Sequence, residues 1–235
     1  MRGFDRPLKP KWIKGCVDTI NIGEKIGEHK KEMIRAVYGV DGDVGNRKIR
    51  TLISRYFFTG KNTKEKSVIE SHAFKVVKEN SISYSKPLML LTILCKEPLL
   101  KQYTNIIKRL YGNSASFSSK LLKENAVNMM GDRDISGRSL RNFLNTLIDF
   151  EVIKEEKKGI YSWNKKFILS DKQTLDFIKI YSESYLKDKH VNLFTIPEEF
   201  LFFFETPDLL EIANIFNSIE WNYIRRTNTA IITLY

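Results

Sequence analysis

SGRSLRNFLNTLIDFEVIKEEKKGIYSWNKKFI, residues 136–168, decides how this chain is read. Leu140, Phe143, Leu144, Leu147 and Ile148 recur at the spacing that lines up side chains on one side of an α-helix, a complete core-facing stripe. Ser136 suits the N-cap, where its hydroxyl accepts from a free backbone N–H. The helical pattern closes at Phe150-Glu151. The β-branched pair Val152-Ile153, the charged turn KEEKKG with Gly159, and Ile160-Tyr161-Ser162-Trp163 then predict a short β-hairpin. A helix over about 118–130, stopped by Gly131, precedes this stretch. Helix, loop, helix, strand, charged hairpin, strand is the order of a winged helix.

In that arrangement the helix face opposite the apolar stripe is available to a DNA groove. It offers Arg138, Ser139, Arg141, Asn142 and Asn145. Arginine can hold guanine O6 and N7 with two hydrogen bonds, and asparagine can do the same for adenine. Ser136 and Ser139 stand near the helix N-terminus, where hydroxyls and backbone N–H groups can hold a phosphate. The hairpin supplies Lys154, Lys157 and Lys158, with Lys165 and Lys166 alongside, suited to backbone contact. The rival reading is a helix and hairpin that dock another protein, with solvated charges.

Charge favours a polyanion. The 235 residues carry a formal net charge of +11, with 42% hydrophobic and 29% charged residues. Residues 1–80 hold +8 and residues 81–170 hold +7, whereas residues 171–235 hold −4. A basic body gains affinity for nucleic acid by releasing condensed counterions. Phe200, Phe202, Phe203 and Phe204 are expected to be core or a partner surface rather than base-stacking platforms, and the acidic, aromatic tail is where a protein partner is expected.

Upstream, the first ten residues read as a basic, proline-punctuated arm. Helices are predicted from about Trp12 to Ile20, from Glu28 to Tyr38 with Met33, Ile34 and Val37 inward, and from about Asn46 onward. Gly39, Gly42 and Gly45 mark a loop between the last two. Arg47, Lys48, Arg50 and Arg55 lie largely outside the apolar stripe of that third helix, a weak helix-turn-helix signal and a second candidate DNA surface. Residues 60–67 form a polar connection, and residues 71–85 are ambiguous between helix and strand. Pro87 and Pro98 are each predicted to open a helix, and Gly112 ends the second. Downstream, a helix over 171–186 has Leu175, Ile178, Tyr181 and Tyr185 on one side, with Phe177 and Ile180 outside the stripe. Residues 208–217 read as helix and 230–235 as a strand. The fold class is mainly α: a helical N-terminal domain (1–80), a winged-helix domain (81–170) and a C-terminal appendage (171–235).

Catalytic patterns are weak. His29, His72 and His190 are scattered without metal-ligand spacing, and Cys16 and Cys95 form no CxxC. No phosphate-binding GxxxxGK[ST] loop occurs. Asp132 and Asp134 can be imagined as carboxylates of a metal-dependent nuclease, but capping and loop solvation account for them. No cofactor, metal or enzymatic activity is expected. The most apolar run, residues 87–95, is too short to span a bilayer, so a soluble, cytoplasmic protein is expected.

Three segments resemble the BrxA family, the small DNA-binding component of BREX phage-defence systems. They are NRKIRTLISRYFF (46–58), PLMLLTILCKEPLLKQYTNIIKRLY (87–111) and ISGRSLRNFLNTLIDFEVIKEE (135–156), within a likeness spanning roughly residues 12–168. The resemblance implies a mostly helical protein that binds double-stranded DNA, acts with larger defence subunits and has no catalytic activity. The glycine-rich loop 39–45 and residues 171–235 are not matched to that pattern. A replication initiator or transcriptional regulator also pairs winged helices with basic arms and is the other nucleic-acid reading.

Overall fold

The computed structural model describes residues 4–40, 42–58, 67–112, 114–131 and 134–235. Eleven α-helices and three small sheets make up the described residues, so the chain is mainly α.

Helix α1 (Pro10–Asp18) starts on a proline at its first position, where a missing N–H is harmless. Helices α2 (Lys30–Ala36) and α3 (Asp43–Ile53) come next, and α3 runs directly into a π-helical turn, Ser54–Phe58. Met33 and Val37 are buried as expected, while Ile34 is exposed. Gly39 and Gly42 sit in the predicted loop, but Gly45 lies inside α3 and is buried. A β-carbon there would lie 2.9 Å from Val40 Cγ1, so the close approach of the Val40 side chain explains this glycine.

The ambiguous segment 71–85 resolves into helix α4 (His72–Glu79) and the start of α5 (Ile82–Lys96). The Ser71 hydroxyl caps the first and the Ser81 hydroxyl the second. Pro87 therefore stands inside α5 rather than opening it. The carbonyl of Ser83 loses its partner, but Ser83 is exposed in the first turn, where the loss is tolerable. Residues 87–95 are buried on every side, which makes α5 the central helix, packed by α1 and α4.

Helix α6 (Pro98–Tyr111) begins on Pro98 and stops at Gly112. Strand β1 (Ser116–Ser118), helices α7 (Ser119–Met130) and α8 (Asp134–Asp149), and the hairpin β2 (Ile153–Lys157) and β3 (Ile160–Trp163) come after it. The antiparallel sheet has the order β1-β3-β2, with Phe117 opposite Tyr161 and Lys154 opposite Ser162. Helix α8 begins at Asp134, so Ser136 is a first-turn residue and not the N-cap.

Strand β4 (Phe167–Ile168) leads to α9 (Asp171–Tyr181), which opens with a capping box from Ser170 and Gln173 and ends in a second π-helical turn, Ser182–Leu186. Phe177 and Ile180 are as buried as Leu175 and Ile178, because α9 packs against α4, α5 and α11 (Leu209–Ile215). Between them lie β5 (His190–Asn192), a 3-10 turn (Leu193–Thr195), α10 (Glu198–Leu201) and β6 (Phe204–Glu205), and after α11 come β7 (Trp221–Arg226) and β8 (Thr229–Leu234). Strands β4 and β6 pair in parallel, and β5-β8-β7 form an antiparallel sheet. Phe200, Phe203 and Phe204 belong to the interior, and Phe202 is half-buried.

The buried apolar side chains form one cluster from Phe4 to Ile232. Among the described residues no helix is long and apolar enough to cross a membrane.

Candidate nucleic-acid interface

Helix α8 has three faces with three different neighbours. Leu140, Phe143, Leu144 and Leu147 are at most 3% exposed and hold the helix on the core, with Ile148 half-buried at the margin. Tyr103 of α6 stacks on Phe143 at 6.3 Å between ring centroids, and its hydroxyl donates to the Ser136 carbonyl at 2.7 Å.

The second face holds the N-terminal segment. The Phe4 N–H donates to Ser139 Oγ at 3.0 Å, and Asn142 Nδ2 donates to the Phe4 carbonyl at 2.8 Å. The Leu8 N–H donates to Thr146 Oγ1 at 3.0 Å. Phe4 and Leu8 are fully buried, and burying each such side chain contributes about 1.5–3 kcal/mol. The expected basic arm is therefore a clamp from residue 4 onward. Ser136, Ser139 and Asn142, predicted to reach DNA, are 6%, 1% and 8% exposed. The hydroxyl of Ser139 and the amide of Asn142 satisfy the backbone of a buried segment, so neither faces a groove.

The third face is open. Arg138, Arg141 and Asn145 are exposed, and neither arginine has an ion pair among the described residues. Gly137 lets α7 approach α8: a β-carbon there would sit 3.1 Å from Lys123 Cε, so the stem of Lys123 lies against Gly137. Lys123 is exposed and adds a cation that sequence reading passed over, because its place next to α8 depends on how two helices cross.

The hairpin is pinned at its tip. Gly159 has φ +76°, and its N–H donates to Glu155 Oε1 at 2.9 Å. Its carbonyl accepts from the Ser119 N–H at 2.9 Å, tying the tip to the start of α7. Lys157 and Lys158 are exposed and without ion pairs among the described residues. Lys154 differs: its ammonium lies 2.8 Å from Glu156 Oε1, and this contact with the Ser162 hydroxyl lowers the Glu156 pKa. Burial, then the Glu155 carboxylate, raises the Tyr161 phenol, with Arg141 opposing. Lys165 and Lys166 are exposed, the latter 6.0 Å from the centre of the Phe202 ring.

The second candidate surface fares differently. Arg47 is exposed and Lys48 half-buried. Arg50 Nε donates to Asn46 Oδ1 at 2.7 Å, and burial lowers its pKa. Arg55 lies 3.7 Å from Glu97 Oε2 and 6.0 Å from the Tyr56 ring. Arg50 is thus engaged within α3 and Arg55 with Glu97 between α5 and α6, so the two are not presented outward as a pair with Arg47.

Comparison of the chain with protein-family models, with curated proteins and with solved structures gave no match.

Asp132 and the side chain of Asp134 lie outside the described residues. Cys16 and Cys95 are buried free thiols; burial pushes the Cys16 thiol up to about 12 and raises that of Cys95 as well. His72 Nε2 lies 2.7 Å from Asp176 Oδ1, and Tyr84 donates to Asp176 Oδ2 at 2.6 Å. This buried network joins α4, α5 and α9 and is spent on holding them together.

Proposed function

We propose that this chain is a non-enzymatic, double-stranded DNA-binding protein whose contacting unit is a winged helix within residues 81–170. The observation that carries the proposal is the open stripe of α8, where Arg138 and Arg141 stand exposed and without ion pairs among the described residues, followed in the chain by a hairpin bearing Lys157 and Lys158. The succession α6, β1, α7, α8, hairpin, with β3 between β1 and β2, supports the winged-helix reading. The net +7 of residues 81–170 supports a polyanion as ligand. In this reading Arg138, Arg141 and Asn145 face the groove, Lys157 and Lys158 the backbone, and Lys123 flanks them.

The likeness of residues 12–168 to the BrxA family supports assigning the protein to a BREX-type phage-defence assembly. Its other subunits would dock on residues 171–235, which leave Phe194, Ile219, Ile224 and Tyr235 at least half exposed. Residues 1–80 form the clamp and scaffold of the reading unit.

Replacing Arg138 and Arg141 together by alanine tests the proposal. Each good contact is worth about 1–3 kcal/mol, so duplex affinity in a filter-binding assay should fall at least tenfold, with unfolding midpoint unchanged because both side chains are exposed. Unchanged affinity would refute it.

A further inference from the structure

Both π-helical turns among the described residues, Ser54–Phe58 and Ser182–Leu186, wall the same cavity. Such turns are rare, well under 1% of residues in proteins generally, and gather at functional sites. The cavity has a volume of about 550 Å³, within the roughly 300–1,000 Å³ usual for small-molecule sites. Phe57, Phe58, Ile69, Cys95 and Pro98 give it an apolar lining.

Its charges are not balanced. Glu70 forms an ion pair with Lys75, which leaves one carboxylate, Glu183, hydrogen-bonded by the His72 N–H at 2.7 Å, against two ammonium groups, Lys96 and Lys187. Of the cations, Arg55 is held by Glu97. Lys96 has no ion pair among the described residues, and its ammonium donates only to the Tyr56 carbonyl, at 2.6 Å. Burial lowers the pKa of Lys96, with Glu183 opposing. Lys187 is exposed, has no ion pair among the described residues, and sits in the left-handed region at φ 58°, a strained conformation for a residue with a side chain. Ser184, 6% exposed, lines the cavity with a hydroxyl that has no hydrogen-bond partner among the described residues. A buried hydroxyl without a partner among the described residues and a half-buried ammonium held by a single carbonyl are expensive to maintain in an apolar pocket without a ligand.

We infer that this cavity binds a small organic anion, a phosphate or carboxylate on an aromatic or apolar body. Lys96 and Lys187 supply the counter-charge, Ser184 donates a hydrogen bond, and Phe57 and Phe58 cover the body. The site is separate from the α8 stripe and does not depend on the DNA-binding reading.

The test titrates the full chain with naphthyl phosphate, naphthoate and the neutral naphthylmethanol, followed by ligand fluorescence. At least one anion should bind about tenfold more tightly than the alcohol, and the better of the two identifies phosphate or carboxylate as the natural head group. Lys96→Met should weaken that anion about tenfold, while Lys157→Ala with Lys158→Ala leaves it unchanged. Lys187→Asn, which keeps a residue tolerant of the left-handed region, gives the same loss from an exposed position should Lys96→Met fail to fold. Alcohol binding as tight as either anion, absence of binding by all three, or unchanged anion affinity in Lys187→Asn overturns the inference.

Discussion

Asn142→Ala separates a reading residue from a structural one. In the folded chain Asn142 is 8% exposed, and its amide donates to the carbonyl of fully buried Phe4 at 2.8 Å. Alanine removes the donor and leaves that carbonyl without a partner in the interior, which costs about 1–3 kcal/mol. Against a typical total of roughly 5–15 kcal/mol for a domain, this is a clear shift in an equilibrium urea transition followed by circular dichroism. Ser139 binds the N–H of the same residue at 3.0 Å, so Ser139→Ala should be destabilising and coupled to Asn142→Ala by at least about 0.5 kcal/mol in a double-mutant cycle. Duplex affinity of the folded Asn142→Ala protein should match that of the parent. Unchanged stability with a selective loss of affinity for adenine-containing sites would mean that the amide faces the groove, and that the clamp is wrong.

Other perturbations address the hairpin and the interior. Lys157→Ala with Lys158→Ala should make the salt dependence of duplex binding shallower by about 1.8 in slope, whereas Lys154→Ala, which removes a cation already paired with Glu156, should leave it nearly unchanged, against the roughly 0.9 of a free contacting lysine. Gly159→Ala places a side chain at φ +76° and 3.1 Å from Ser119 Oγ; a loss of about 1–2 kcal/mol should lower the thermal midpoint. Glu97→Gln should change the pH dependence of stability. Burial raises the Glu97 carboxyl above 4.5, with the Tyr56 hydrogen bond and Arg55 opposing. The folded state then keeps this proton to higher pH than the unfolded chain, so stability falls as pH rises from about 4.5 through the raised value. The glutamine variant, which still accepts from Tyr56, lacks that fall in pH-resolved urea unfolding.

Much of the central unit is legible in the residues themselves. The stripe from Leu140 to Leu147, the hairpin around Gly159 and the Pro98 and Gly112 boundaries all arise from local periodicity and turn chemistry. Features governed by distant partners are not legible in this way. Strand β1 has three residues, too few for alternation to register, and exists because β3 offers an edge. Ser139 and Asn142 are polar on a helix, and nothing local distinguishes a solvated polar face from one that bonds a buried strand of chain more than 130 residues away. Pro87 misled because its neighbours are apolar and the cap, Ser81, lies six residues earlier. Phe177 and Ile180 escaped the stripe because α9 is covered on several sides. In the candidate site, exposure of Arg138 and Arg141 was readable, but the diversion of Arg50, Arg55 and Lys154 into internal or local contacts depends on Asn46, Glu97 and Glu156 and required the folded arrangement.

The most direct measurement is the affinity of the intact protein for random duplex DNA as a function of salt concentration. Four cations without ion pairs among the described residues, Arg138, Arg141, Lys157 and Lys158, should give a linear fall of log K with log salt and a slope of about −3.6. An affinity that does not change with salt, or no association even at the lowest ionic strength, would contradict DNA binding through this face.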